Sequence, residues 1–282
     1  MLKKIKSLTY QYAIPAAFIV FVVLDCLLLG LGRLLSLLPP TLPMAYLAEI
    51  ILILVPAAFV CVFGFSSAFK KGKFFRGLLY GLPVILSQLV ALVIFFSKNL
   101  GNPEASWRPW YMIVYGMFCV LGIGLREEFF YRATIQNILA KKYANSVKGI
   151  WITLIISAVI FGLTHASNIF FGTDPLAVLM QVLSATFVGL LFGAIYLRSG
   201  NIWVLVLIHT LIDTAGLAAS TFLRISETEN VNQLAQLFTW GKLAVWLIYI
   251  GLTIFLLRPS KCKQIRESLC FADEESEAAT RT

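Results

Sequence analysis

The sequence has few charged residues and very few histidines for its length. Charged side chains make up 13% of the 282 residues, and the chain has only two histidines, His165 and His209. A composition so poor in charge argues against a water-soluble globular protein. Any acid–base or metal chemistry that needs an imidazole is limited to these two positions.

Several sequence signatures of enzymes are also absent. The chain has no His-Glu-x-x-His and no Gly-x-Ser-x-Gly motif, which argues against a zincin site and a hydrolase nucleophile elbow. There is no Gly-rich phosphate loop, no internal repeat and no soluble domain. The five cysteines show no paired spacing, so we interpret them as small apolar or reduced side chains rather than zinc ligands or disulfides.

Long apolar runs dominate the remaining sequence, with 59% hydrophobic residues. A run of about 20 apolar residues can cross a hydrocarbon core of about 30 Å as a helix. The sequence therefore predicts an all-α, polytopic transmembrane helix bundle. Eight candidate spans lie near residues 13–34, 44–65, 77–97, 109–140, 148–167, 176–197, 201–221 and 238–257. The fourth is too long for a simple crossing and must tilt or extend beyond the membrane.

The basic residues predict the orientation of these spans. They concentrate before the first span and after the second, fourth, sixth and eighth, so the positive-inside rule places both termini in the cytoplasm. The net charge of +9 is distributed among these flanks, which argues against nucleic-acid binding. We expect one transmembrane domain over residues 1–268, with a catalytic core at about 109–221, and a disordered cytoplasmic tail over 269–282. Compact loops and no organelle signal favour a prokaryotic plasma membrane.

Ionisable residues inside the apolar segments are the strongest functional signal. Each costs a few kcal/mol to place within a bilayer, so such residues indicate a functional site by default. They are the pair Glu127 and Glu128, followed by Arg132, then His165, and His209 with Asp213.

Helical spacing predicts different roles for these side chains. Glu128 and Arg132 are four residues apart, which suits an ion pair along one helix face, whereas Glu127 projects about 100° away. Glu127 is then available to take a proton from water as a general base. We expect His165 to orient that water and His209 to donate a hydrogen bond to the substrate carbonyl oxygen.

The order Glu-Glu-x-x-x-Arg, Phe-x-x-x-His and His-x-x-x-Asp, over roughly residues 120–216, resembles the CPBP family of intramembrane proteases. That family includes type II CAAX prenyl endopeptidases and bacterial relatives of lysostaphin resistance protein A. The resemblance implies that Glu127 and His165 activate water and that His209 with residue 213 stabilises the oxyanion. Many relatives have Asn where this chain has Asp213, and an ionised Asp cannot donate a hydrogen bond. Asp213 must therefore be protonated or fix the tautomer of His209.

The resemblance leaves the metal and the substrate open. Glu127, His165 and His209 can supply three ligands to Zn²⁺ and leave a position for water, but a metal-free glutamate mechanism is equally compatible. The implied partners are membrane lipid and a peptide or membrane-protein substrate, with or without a prenyl group. The implied processes include peptide or bacteriocin processing and bacteriocin immunity.

Two other functions are compatible with intramembrane charges. A non-catalytic immunity or scaffold protein would bind a membrane partner, and loss of Glu127 or a histidine would be its signature, but none is lost here. A proton-coupled transporter would place similar residues at mid-membrane, but the chain shows no inverted repeat. A purely structural reading would make the acids and histidines surface or satisfied buried groups. We favour catalysis over binding, and binding over transport.

Overall fold

A computed structural model describes residues 2–70, 72–224 and 240–265, and these residues are largely helical. The only β feature in these ranges is an isolated antiparallel bridge between Trp107 and Leu223. The predicted all-α bundle is confirmed. The tail predicted over residues 269–282 lies outside the described residues.

The helices follow the apolar runs of the sequence. In chain order over the described residues they are α1 Leu2–Gln11, α2 Ala13–Leu35, α3 Leu42–Val62, α4 Phe74–Asn99, α5 Trp110–Phe130, α6 Asn137–Tyr143, α7 Val147–Thr164, α8 Pro175–Ser199, α9 Ile202–Gly216, α10 Ala218–Phe222, α11 Trp240–Leu256 and α12 Pro259–Ile265. Short 3₁₀ segments cover Ser66–Phe69 and His165–Phe171, and a π-helical turn, Tyr131–Gln136, joins α5 to α6.

Five of these segments are long and apolar enough to cross a membrane: α2, α3, α4, the stretch Val147–Phe171 and α8. A sixth results if α11 and α12, which meet at a bend of 66°, are one broken span. Such helices support an integral, multi-pass membrane protein. The count of eight spans and the cytoplasmic termini remain predictions.

The described residues fall into two compact units. The first takes them from within 1–25, 131–198 and 233–282, and the second from within 26–130 and 199–232. In the first unit, α6 and the π-helical turn pack against α7, and α1 contacts α6. In the second unit, α5 packs against α3 and α9, and α4 packs against α9. The single domain over 1–268 stays a prediction.

Local signals fix the start of α9 within the second unit. Gly200 has a φ of +62°, a left-handed conformation that favours glycine. Asn201 follows in extended conformation, and its Oδ1 accepts a hydrogen bond from the Val204 backbone N–H at 3.0 Å. This cap sets the residue at which α9 begins and therefore the position of His209 along the helix.

Candidate active site

A close contact between α5 and α9 brings the candidate residues of the second unit together. A Cβ atom on Gly124 of α5 would lie 2.8 Å from Thr210 Oγ1 and 3.2 Å from Val206 O, both on α9. Only glycine fits this contact without a shift, and small residues are the usual means of close helix approach in membranes. Thr210 follows His209, so the contact holds that histidine beside the acidic end of α5.

Three carboxyl groups surround the His209 ring. Its Nδ1 lies 2.7 Å from Glu128 Oε1. Its Nε2 lies 3.5 Å from Glu127 Oε2 and 3.6 Å from Asp213 Oδ2. The structure therefore brings four of the predicted residues together, on two helices of one unit, with three carboxyl groups around the imidazole of His209.

Exposure separates the two adjacent glutamates. The Glu128 side chain is fully buried, whereas 23% of the Glu127 side chain is exposed. Glu127 can thus meet a water molecule or a substrate, while Glu128 faces the ring of His209. An ionised carboxylate can only accept a hydrogen bond, so a Glu128 carboxylate at 2.7 Å requires a proton on Nδ1 of His209.

The tautomer of His209 is therefore held by Glu128 in this geometry. Tautomer control was one of the two roles open to Asp213 in the sequence, but Asp213 lies on the Nε2 side of the ring, beside Glu127. Asp213 and Glu127 thus both lie next to Nε2, the ring nitrogen of His209 that faces away from Glu128. From there Asp213 can contact a group that bonds to Nε2.

Arg132 and His165 belong to the other unit. Arg132 lies in the π-helical turn, is almost fully buried, and its guanidinium carbon is 4.2 Å from the centroid of the Phe161 ring, a cation–π distance. His165 caps the C-terminus of α7 and begins the 3₁₀ segment, with its Nδ1 3.2 Å from Gln181 Nε2. The Arg132–Glu128 ion pair and the role of His165 stay predictions.

The sequence analysis missed a charged pair on α3 and α5. Glu49, on α3, is buried and forms an ion pair with Arg126, the residue before Glu127. Gly122, one turn earlier on α5, leaves room for the Glu49 carboxylate, because a Cβ atom there would collide with it. Glu49 lies within an apolar run, and this signal was sufficient to find it.

The predicted metal ligands gain no support from the described part of the chain. In it, no group of three or more His, Cys, Asp or Glu side chains is arranged to hold a metal ion. Zn²⁺ ligation by Glu127, His165 and His209 therefore stays a prediction. The acid–base chemistry below is derived from the side chains alone.

Comparison with known proteins gives one finding. Residues 108–215 match the family model for type II CAAX prenyl endopeptidase, Rce1-like. The match includes α5 and α9 almost entirely, and with them all six predicted site residues. No curated protein and no solved structure matches the chain significantly. This match supports the assignment of residues 108–215 to the CPBP family of CAAX-protease-like intramembrane endopeptidases.

Proposed function

We propose that the protein hydrolyses a peptide bond in the membrane, with Glu127 as general base and His209 as the hydrogen-bond donor to the oxyanion. The observation that carries this proposal is the arrangement around His209. One ring nitrogen is bonded to the buried Glu128, and the other lies beside the partly exposed Glu127.

Glu127 moves the proton in this reaction. Its carboxylate takes a proton from water, and the resulting hydroxide attacks the carbonyl carbon of the scissile bond. A carbon–oxygen bond forms and the carbonyl oxygen becomes negative. Glu127 then gives the same proton to the departing nitrogen as the carbon–nitrogen bond breaks, which leaves a carboxylic acid and an amine and regenerates the Glu127 carboxylate. A side chain positioned for proton transfer contributes about 10²- to 10⁴-fold to the rate of such a reaction.

His209 stabilises the negative oxygen. The Glu128 carboxylate at 2.7 Å compensates a positive imidazolium, because a buried charge is tolerated when it is paired and hydrogen-bonded. The ring then donates from Nε2 to the oxyanion, where one well-placed donor contributes about 10²- to 10³-fold. Asp213, 3.6 Å from Nε2, is a second donor to that oxygen when it carries a proton.

Two further roles are proposed on the order of the sequence motifs. His165, in the Phe-x-x-x-His motif, orients the attacking water for Glu127. Arg132, four residues after Glu128, pairs with that carboxylate. The role of His165 comes from the family motif and that of Arg132 from the four-residue spacing, and neither comes from distances to the His209 cluster.

We propose a peptide or a membrane protein as the substrate, with or without a prenylated cysteine, in a prokaryotic plasma membrane. The family match supports a protein substrate and a lipid environment. Peptide or bacteriocin processing and bacteriocin immunity are the processes in which such an enzyme would act. We propose no nucleic-acid partner, because the positive charge lies along membrane flanks.

The test is cleavage of a quenched peptide library by purified protein in lipid nanodiscs, with and without a farnesylated cysteine. Glu127→Gln removes the base, and Glu104→Gln, at an exposed loop acid, is the matched control. We expect cleavage by the wild type and the control but not by Glu127→Gln, and a chelator arm then decides whether a metal takes part. Equal cleavage by all three would refute Glu127 as the base, and cleavage by none would favour a binding or immunity protein or a transporter.

A further inference from the structure

We propose that Gln181 is a positioning residue that holds His165 as the tautomer with its proton on Nε2. The inference rests on the proposed function, in which His165 contacts the attacking water. Two hydrogen bonds within the first unit carry it. Asn168 Nδ2 donates to Gln181 Oε1 at 2.8 Å, and Gln181 Nε2 lies 3.2 Å from His165 Nδ1.

The direction of the first bond determines the direction of the second. Because Oε1 of Gln181 accepts from Asn168, the amide group that Gln181 turns toward the ring is the NH₂ group, which can only donate. His165 Nδ1 must then accept with a lone pair. In a neutral ring the remaining proton lies on Nε2.

The backbone makes this chain of bonds possible. His165 and Asn168 lie three residues apart in the 3₁₀ segment His165–Phe171, and side chains at this spacing eclipse one another in a 3₁₀-helix. Both therefore face the same side, where α8 presents Gln181. The edge of the Phe161 ring, with its centroid 5.8 Å from that of the imidazole, further restricts rotation of the ring.

The tautomer limits what His165 can do. An Nε2–H group donates a hydrogen bond, so His165 can hold the oxygen of the attacking water but cannot accept its proton through Nε2. Proton removal is then left to Glu127. In a metal-bound histidine, one nitrogen usually donates to a carbonyl or carboxylate and the other gives its lone pair to the ion. In His165 the nitrogen that contacts Gln181 accepts instead, and the other nitrogen carries the proton.

The two histidines consequently differ. The proposed function gives His209 a proton on Nδ1, the nitrogen bonded to Glu128, and as an imidazolium a second proton on Nε2, whereas His165 carries its one proton on Nε2. Since the chain has only these two histidines, a ¹⁵N-histidine-labelled protein gives ring signals from two residues only, and these can be told apart.

The first experiment is ¹⁵N NMR of the labelled protein in nanodiscs at neutral pH, with the signals assigned by comparison with His209→Asn. We expect the Nδ1 signal of His165 in the range of an unprotonated nitrogen and its Nε2 signal in the range of a protonated one. The opposite pattern, or a His165 ring protonated on both nitrogens, would overturn the inference.

The second experiment reverses the direction of the hydrogen bond between Gln181 and His165. Gln181→Glu replaces the donor with a carboxylate that can only accept, so the His165 proton should move to Nδ1. Asn168→Asp should do the same indirectly, because Gln181 must then turn its NH₂ group toward the new carboxylate. We expect kcat to fall at least tenfold in both variants with little change in KM, and Gln11→Glu, at an exposed position, to match the wild type.

The ring protonation is measured without substrate, so the two proposals fail separately. A wild type that shows the expected tautomer but cleaves no peptide would overturn the proposed function. A wild type that cleaves with the opposite tautomer would overturn the role of Gln181. Unchanged kcat in Gln181→Glu, despite a tautomer that has moved, would also contradict that role.

Discussion

Replacing Gly124 with alanine adds one methyl group where α5 meets α9. That methyl carbon would lie 2.8 Å from Thr210 Oγ1 and 3.2 Å from Val206 O, whereas ordinary van der Waals contact begins at 3.4 Å. The closest contact is therefore short by about 0.6 Å, and the helices must separate or Thr210 must move. Separation of the helices displaces His209 from Glu127 and Glu128, and a backbone shift at Thr210 moves the adjacent His209.

The displacement of His209 determines how far kcat should fall. A misplacement of about 1 Å in a catalytic arrangement can cost about 100-fold in rate. For a shift of about 0.6 Å we expect kcat to fall about 10- to 100-fold, with a smaller change in KM. The assay is steady-state cleavage of the best peptide from the library, in nanodiscs of fixed lipid composition.

A second substitution can reverse the effect. Thr210→Ala removes the nearest oxygen, which has no hydrogen-bond partner among the described residues, and leaves Val206 O at 3.2 Å as the closest atom. The double variant Gly124→Ala/Thr210→Ala should regain most of the lost activity, and Thr210→Ala alone should resemble the wild type. Gly251→Ala, at a helical glycine with open space around it, is the matched control and should stay active. Full activity of Gly124→Ala, or no recovery in the double variant, would refute the reasoning.

Three other substitutions test separate contacts. Glu128→Gln keeps an acceptor for His209 but removes the compensating charge, so kcat should fall about 100-fold in the same assay, and an unchanged kcat would contradict the pairing. Glu49→Gln leaves the Arg126 charge without its partner and should lower the free energy of unfolding by about 3–5 kcal/mol, measured in detergent by denaturation. The loss should shrink when Arg126→Gln is added, and equal losses would argue against the pair. Ser146→Ala removes the N-cap of α7 and should cost about 1 kcal/mol of stability with unchanged kcat; no loss of stability would show that the cap is dispensable.

Much of the fold follows from the hydrophobic pattern alone. Each of the eight predicted apolar segments corresponds to a helix or a run of helices, because a bilayer core forces the backbone to satisfy its hydrogen bonds internally. The long fourth segment, 109–140, is the instructive case. The regular helix ends at Phe130, and a π-helical turn separates it from α6. No residue pattern in the sequence marks that turn, which packs against α7.

The site was only partly predictable. Side-chain chemistry identified the acids and histidines, because few polar groups occur in the apolar segments. The partner of His209 was not predictable, since the contact with Glu128 requires the approach of α5 and α9 at Gly124. Gln181 is uncharged and resembles many polar residues that join membrane helices, so no sequence signal distinguished it from them.

The central claim is that Glu127 is the base of a peptide hydrolysis, and the rate of Glu127→Gln tests it most directly. With the same peptide and lipid, and with Glu104→Gln as control, kcat/KM should fall about 10²- to 10⁴-fold in Glu127→Gln while the control retains wild-type activity. A Glu127→Gln protein that is correctly folded and cleaves at the wild-type rate would contradict the account.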